Sequence, residues 1–115
     1  MKMKMNNEMI EKKVYSWLGL CTRAGNLVSG DDTTLRSLKK GAVKLVIIAE
    51  DASNNTKKLF SDKCSFRNIV FFEFGNKVML GNSIGKSPRA VVGILDKNIS
   101  IQLINLLEDK SKIEK

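Results

Sequence analysis

Residues 43–49 read Val43-Lys44-Leu45-Val46-Ile47-Ile48-Ala49, and this stretch decides the fold. Nearly every residue in it is apolar and most are β-branched, which predicts a central strand covered on both faces. The segments on either side read as helices. Upstream, Gly30-Asp31-Asp32 opens a helix with Leu35, Leu38 and Ala42 on its inner face and Gly41 near its end. Asp31 is the expected N-cap, and Lys39-Lys40 complement the dipole at the other end. Downstream, Ser53 or Asn54 caps a helix through Phe60 to about Cys64, and Ile69 to Phe72 forms a short strand. Phe66, Phe71, Phe72 and Phe74 are expected to lie mostly in the core.

The alternation continues to both ends. Ile10, Val14, Trp17, Leu18 and Cys21 fall on one helical face, with Asn6 or Asn7 as cap and Gly25 as terminator. Val28-Ser29 is a short extended piece. Gly75-Asn76 starts a short helix, Lys77 to Leu80, followed by a loop from Gly81 to Arg89. Ala90 to Leu95 is another buried strand. Asn98 begins a last helix with Ile101, Ile104 and Leu107 inside. Helices alternating with strands predict an α/β fold, a three-layer α-β-α sandwich around a roughly four-stranded mixed sheet.

The chain has 115 residues, which fits one domain over 1–115, with 1–7 and 109–115 expected to fray. The absence of His excludes a Ser-His-Asp triad and a His-ligated metal. Cys21 and Cys64 are too few for a thiolate zinc site and read as reduced packing residues of a cytoplasmic protein. No apolar run is long enough for a signal peptide or a membrane span. The expectation is therefore a monomer with no cofactor, no metal and no membrane partner. Net charge is +8, of which residues 31–44 contribute +2 and residues 76–97 contribute +3. A basic balance of this kind is the footprint of a nucleic-acid binder.

Gly81-Asn82-Ser83-Ile84-Gly85-Lys86-Ser87 invites comparison with a phosphate-binding P-loop. That pattern needs four residues between its glycines and a strand before it, and here both conditions fail. Asp31-Asp32 and Glu50-Asp51 are adjacent pairs at element ends, where turns and caps place Asp. No catalytic constellation is left, so the chain reads as a binding protein and not an enzyme.

Two pieces carry the binding chemistry. Gly30 to Arg36 is a glycine turn delivering a helix N-terminus, whose free N–H groups suit a phosphate, with an arginine able to grip guanine O6/N7. Leu80 to Arg89 is a basic loop before a strand. Together they would insert a helix end into a distorted, widened RNA groove, since the ordinary A-form major groove is too narrow.

Several fragments in order resemble a known family: Leu18-Gly19-Leu20, Arg23-Ala24-Gly25, Val28-Ser29-Gly30, Lys44-Leu45-Val46, Ala49-Glu50-Asp51-Ala52-Ser53, Asp62-Lys63-Cys64 and Leu80-Gly81 with Ser83-Ile84-Gly85-Lys86. Over roughly residues 13–107 the chain resembles the YlxQ-type bacterial branch of the kink-turn-binding ribosomal proteins (the L-seven-Ae and thirty-e relatives). The resemblance implies a three-layer fold and binding to kink-turn RNA, with ribosomal RNA or the ribosome as the setting. In the family pattern G-x-N-E-x-x-K, Gly30 takes the glycine and Arg36 the lysine. Asp32 and Thr33 stand where the family has Asn and Glu. An ionised Asp32 accepts but cannot donate, so it either aims Arg36 from four residues away or accepts from a base amino group. The RNA-binding set expected from the sequence is Gly30, Asp32, Thr33, Arg36, Lys39 and Lys40, with Ile84, Gly85, Lys86, Ser87 and Arg89 from the second loop. The alternative left open is a protein-interaction module of ribosome assembly or translation on the same fold.

Overall fold

The computed structural model describes residues 5–114. Elements run α1 (Asn7–Arg23), β1 (Leu27–Ser29), α2 (Asp31–Lys39), β2 (Leu45–Ile48), α3 (Asn54–Phe66), β3 (Val70–Glu73), α4 (Lys77–Ser83), β4 (Val91–Ile94) and α5 (Lys97–Glu114). The four strands form one mixed sheet in the order β1-β4-β2-β3. Strands β2 and β3 are parallel, whereas β4 runs antiparallel to both β1 and β2. Helices α1, α4 and α5 pack together on one face, and α2 and α3 cover the other. This is the three-layer sandwich expected from the alternation of elements.

The central strands are buried for the reason their composition implies. Leu45, Val46, Ile47 and Ile48 of β2, and Val91 to Ile94 of β4, are closed off on both faces. Side chains alternate across a strand, so only a sheet covered twice can bury four residues in a row. Ile10, Val14, Leu18 and Cys21 line the inner face of α1, and Asn6 caps it by accepting from Met9 N at 2.9 Å. Phe60, Leu38, Leu80 and Leu103 complete the core from four other helices. Truncating any one of these to Ala would cost about 2–5 kcal/mol.

The structure corrects several local expectations. Ala42 is exposed, because α2 ends at Lys39 and the chain turns before Val43 re-enters the core. Thr34 takes the inner position instead, fully buried beside Leu38, and its hydroxyl has no partner. Asp31 does not cap α2. Gly30 occupies the cap position without a side-chain bond, and Asp31 is the first helical residue. Phe66 is 82% exposed and not in the core, because it falls at the C-terminal end of α3 beyond the sheet. Helix α4 continues to Ser83, absorbing part of the expected loop. In α5 the buried series is Ser100, Leu103, Leu107 and Lys110, so Ile101 is exposed. That series also carries helical structure to Glu114, past the expected limit at Asp109: Lys110 lies 6.0 Å from the Phe74 ring and 4.0 Å from Glu11 of α1. Of the termini expected to fray, residues 1–4 and 115 lie outside the described residues. Among the described residues no helix is long and apolar enough to cross a membrane, and no group of side chains could hold a metal ion.

Candidate nucleic-acid interface

Strand directions gather the two candidate pieces at one edge of the sheet. Ser29 at the end of β1 pairs with Val92, and Ile48 at the end of β2 pairs with Val91. The parallel β3 ends on the same side. Consequently the segments after β1, β2 and β3, and the segment before β4, all emerge together. They are Gly30–Arg36, Glu50–Thr56, Gly75–Lys77 and Gly85–Arg89.

Hydrogen bonds fasten these segments to one another. Arg89 Nε donates to Ser29 Oγ at 3.2 Å, and Gly30 N donates to Val91 O at 3.0 Å. Arg89 N donates to Lys77 O at 3.0 Å, while Lys77 N donates to Asp51 Oδ1 at 2.9 Å. Glu50 N donates to Gly75 O at 2.8 Å. Ser87 is held to the same guanidinium, its Oγ 2.7 Å from Arg89 Nη1. The loop before β4 is therefore bonded to the end of β1 and to the start of α4.

Two glycines make this edge possible. Gly30 has φ 87° and ψ 156°, a region essentially restricted to glycine, and nothing lies within 4 Å of where its Cβ would be. The turn into α2 thus requires glycine and leaves its surface open to close approach. Gly81 is buried in α4, and a Cβ there would fall 2.2 Å from Ser87 O. The Lys86–Ser87 backbone crosses directly over it. Gly81 is thus more than the loop punctuation its sequence context suggests, and its spacing four residues before Gly85 is the signal of that.

Gly30, Asp32, Thr33, Arg36, Gly85, Lys86, Ser87 and Arg89 all belong to this edge or to the first turns of α2. Arg36 is exposed, and so is Asp32 on the same face, yet no ion pair joins them. The expected aiming of Arg36 by Asp32 is not present: exposed pairs at this spacing gain only a few tenths of a kcal/mol. Ile84 is 6% exposed and packs in the core, so it reaches this edge through its backbone only. Lys39 and Lys40 stand at the C-terminal end of α2, about 13 Å from Gly30 for nine residues at about 1.5 Å each, and Arg36 lies between, one turn before Lys39.

Charge at this edge is balanced. The edge carries four cations, Arg36, Lys77, Lys86 and Arg89, and four carboxylates, Asp31, Asp32, Glu50 and Asp51. Like any helix, α2 leaves its first N–H groups unpaired, here flanked by two carboxylates. With its charges balanced, such a surface offers a shape and a donor-acceptor pattern but little net attraction for phosphate. Beside it lies a cavity of about 470 Å³ lined by Glu11, Tyr15, Glu50, Asp51, Phe74 and Lys110, among others. Burial, with the nearby Glu11 and Glu50 carboxylates, raises the Tyr15 phenol above its ordinary range. These walls are suited to repelling an anion.

A model of the ribosomal protein L7Ae/L30e/S12e/Gadd45 family matches residues 12–104. The chain is 40% identical over 94 residues to the RNA-binding protein YlxQ of Bacillus subtilis (strain 168), covering 82% of this chain and 94% of that protein. It is 36% identical over 102 residues to the RNA-binding protein YlxQ of Enterococcus faecium, covering 89% and 98%. The solved structure of a protein of unknown function from Bacillus halodurans C superposes with a TM-score of 0.81 at 40% identity, covering 84% of this chain and 97% of that one.

Proposed function

This chain belongs to the ribosomal protein L7Ae/L30e/S12e/Gadd45 family, and from that membership we propose that it is a non-catalytic RNA-binding protein that recognises kink-turn RNA in a ribosomal or ribosome-associated setting. The observation that carries the reading is the joint between Arg89 and Ser29, which ties two segments far apart in the chain, Gly30–Arg36 and Gly85–Arg89, into one continuous surface. A kink widens the groove enough to admit the first turn of α2. Arg36 donates to guanine O6/N7, and Asp32 accepts from a base amino group. Gly30 lets the RNA backbone approach closely. Gly85, Lys86 and Ser87 close over the bend, with Thr33 beside them.

The balanced charge of the edge favours a bent RNA over plain duplex, since attraction to phosphate alone would not distinguish them. A gel-shift panel tests this with a kink-turn RNA, the same RNA with its sheared G·A pairs replaced, and a perfect duplex. Binding should be strong only to the first. Equal affinity for all three would overturn kink-turn recognition, and no binding to any would overturn RNA as the ligand.

A further inference from the structure

We propose that the opposite end of the molecule is a second RNA surface, one that takes a single strand, with phosphates on Lys39, Lys40, Lys44, Lys63 and Arg67 and a base stacked on Phe66. The balanced edge around Gly30 does not account for a net charge of +8. At the other end, α2 and α3 finish side by side. One depression of about 440 Å³ lies between Lys39, Lys40 and Gly41 on one side and Arg67 and Ile69 on the other. A second, of about 330 Å³, is lined by Asp62, Lys63, Phe66 and Arg67. Arg67 lines both, so the two depressions are neighbours. Lys44 is exposed and directly precedes Leu45, whose partner Val70 directly follows Ile69 of the first depression.

Two alternative explanations of these residues fall short. Basic side chains at helix C-termini offset the dipole, but two helix ends amount to about one negative charge, against five cations. The nearby carboxylate, Asp62, is already paired with Lys58 at 3.1 Å. Phe66 is the second feature. It is 82% exposed, and Arg67 lies 5.4 Å from the ring centroid while its Nη1 donates to Lys63 O at 3.4 Å. An aromatic ring backed by a fixed guanidinium, among free cations, is the arrangement on which unpaired bases stack. An acidic protein would use the cations and leave the ring unused.

This surface is separate from kink-turn recognition. Helix α2 links the two, with Arg36, Lys39 and Lys40 following one another along its exposed side. A strand leaving the kink-turn could run along it.

The test measures full-length protein by fluorescence anisotropy against two probes, a short single-stranded oligoadenylate and a blunt kink-turn RNA, over a range of salt. Phe66→Ala should weaken the oligoadenylate about tenfold and leave the kink-turn unchanged. Lys39→Gln with Lys40→Gln should lower the oligoadenylate salt slope by about 1.4 units. Both variants change exposed positions, and a thermal melt verifies the fold. Unchanged oligoadenylate affinity in Phe66→Ala would overturn the proposal. So would equal losses on both probes, which would merge this surface with the Gly30 edge, or polyglutamate binding wild type and Phe66→Ala alike in place of the oligonucleotide. Kink-turn selectivity is read in the other arm, so its failure is scored separately.

Discussion

Arg89 Nε lies 3.2 Å from Ser29 Oγ, and this bond joins positions 60 residues apart in the chain. The same guanidinium reaches Ser87 Oγ and, at 3.3 Å, Pro88 O, so one side chain sets both the shape of the loop and its position against β1. Arg89 thus holds protein to protein, and in the proposed function it would act on RNA only through the loop. Arg89→Ala should reduce kink-turn affinity at least as much as Lys86→Ala. Arg89→Lys should rescue little, because an ammonium lacks the planar fork. Full rescue by Lys would show that charge alone matters there. Gel-shift affinities of the three variants decide it.

Gly30→Ala should destabilise the fold by about 1–3 kcal/mol, the cost of holding a side chain in a glycine-only conformation. The space around its Cβ is open, so the loss would come from backbone strain and not from a clash. Urea denaturation measures it, and a change under 0.5 kcal/mol would mean the turn relaxes freely.

Gly81→Ala should act through contact instead. Its Cβ would meet the Ser87 carbonyl at 2.2 Å, and backbone cannot swing aside as a long side chain does. The Lys86–Arg89 loop should shift, with RNA affinity falling more steeply than thermal stability. Amide exchange at Lys86 and Ser87 would register the displacement.

Thr34→Val should stabilise the protein by about 1 kcal/mol. The Thr34 hydroxyl is buried with no partner, and an apolar replacement of similar shape removes that penalty. A thermal melt checks the sign. RNA affinity should not change, since Thr34 faces inward.

Cys21 and Cys64 should resist thiol reagents in the native state near pH 8. Burial pushes each thiol up to about 11, from an ordinary value of 9.0. The native pKa is the higher one, so the neutral thiol's contribution to stability is complete below pH 9. It declines as pH rises from 9 toward 11, where only the unfolded chain ionises readily. Melting temperatures over that range should fall less in a variant with both cysteines replaced by Ala, measured relative to its own value at pH 8.

Arg36→Ala should cost about 1–3 kcal/mol on kinked RNA and much less on duplex. Asp32 and Arg36 are unpaired in the structure, so their double-mutant coupling for RNA should stay within about 0.3 kcal/mol. A larger coupling would mean the two meet on the RNA.

The layers and the family are legible from local sequence alone. Alternation of a doubly apolar strand such as Leu45–Ile48 with one-sided helices such as α1 is a local property, because burial on one face or two is written in the spacing of apolar residues. Gly30, Arg36 and the Leu80–Arg89 segment stand out for a different reason, the glycine-and-cation motifs they share with the family pattern. Which of them meet depends on the assembled sheet. Strand order and direction bring Ser29 to Arg89, send Lys39 and Lys40 to the far end, and turn Ile84 inward. The end of α3 also leaves Phe66 outside, although its place beside a strand-like run predicts the core. Spacing along the chain encodes which face of an element is covered, whereas neighbours across the sheet depend on how the strands cross over, and no local pattern records that.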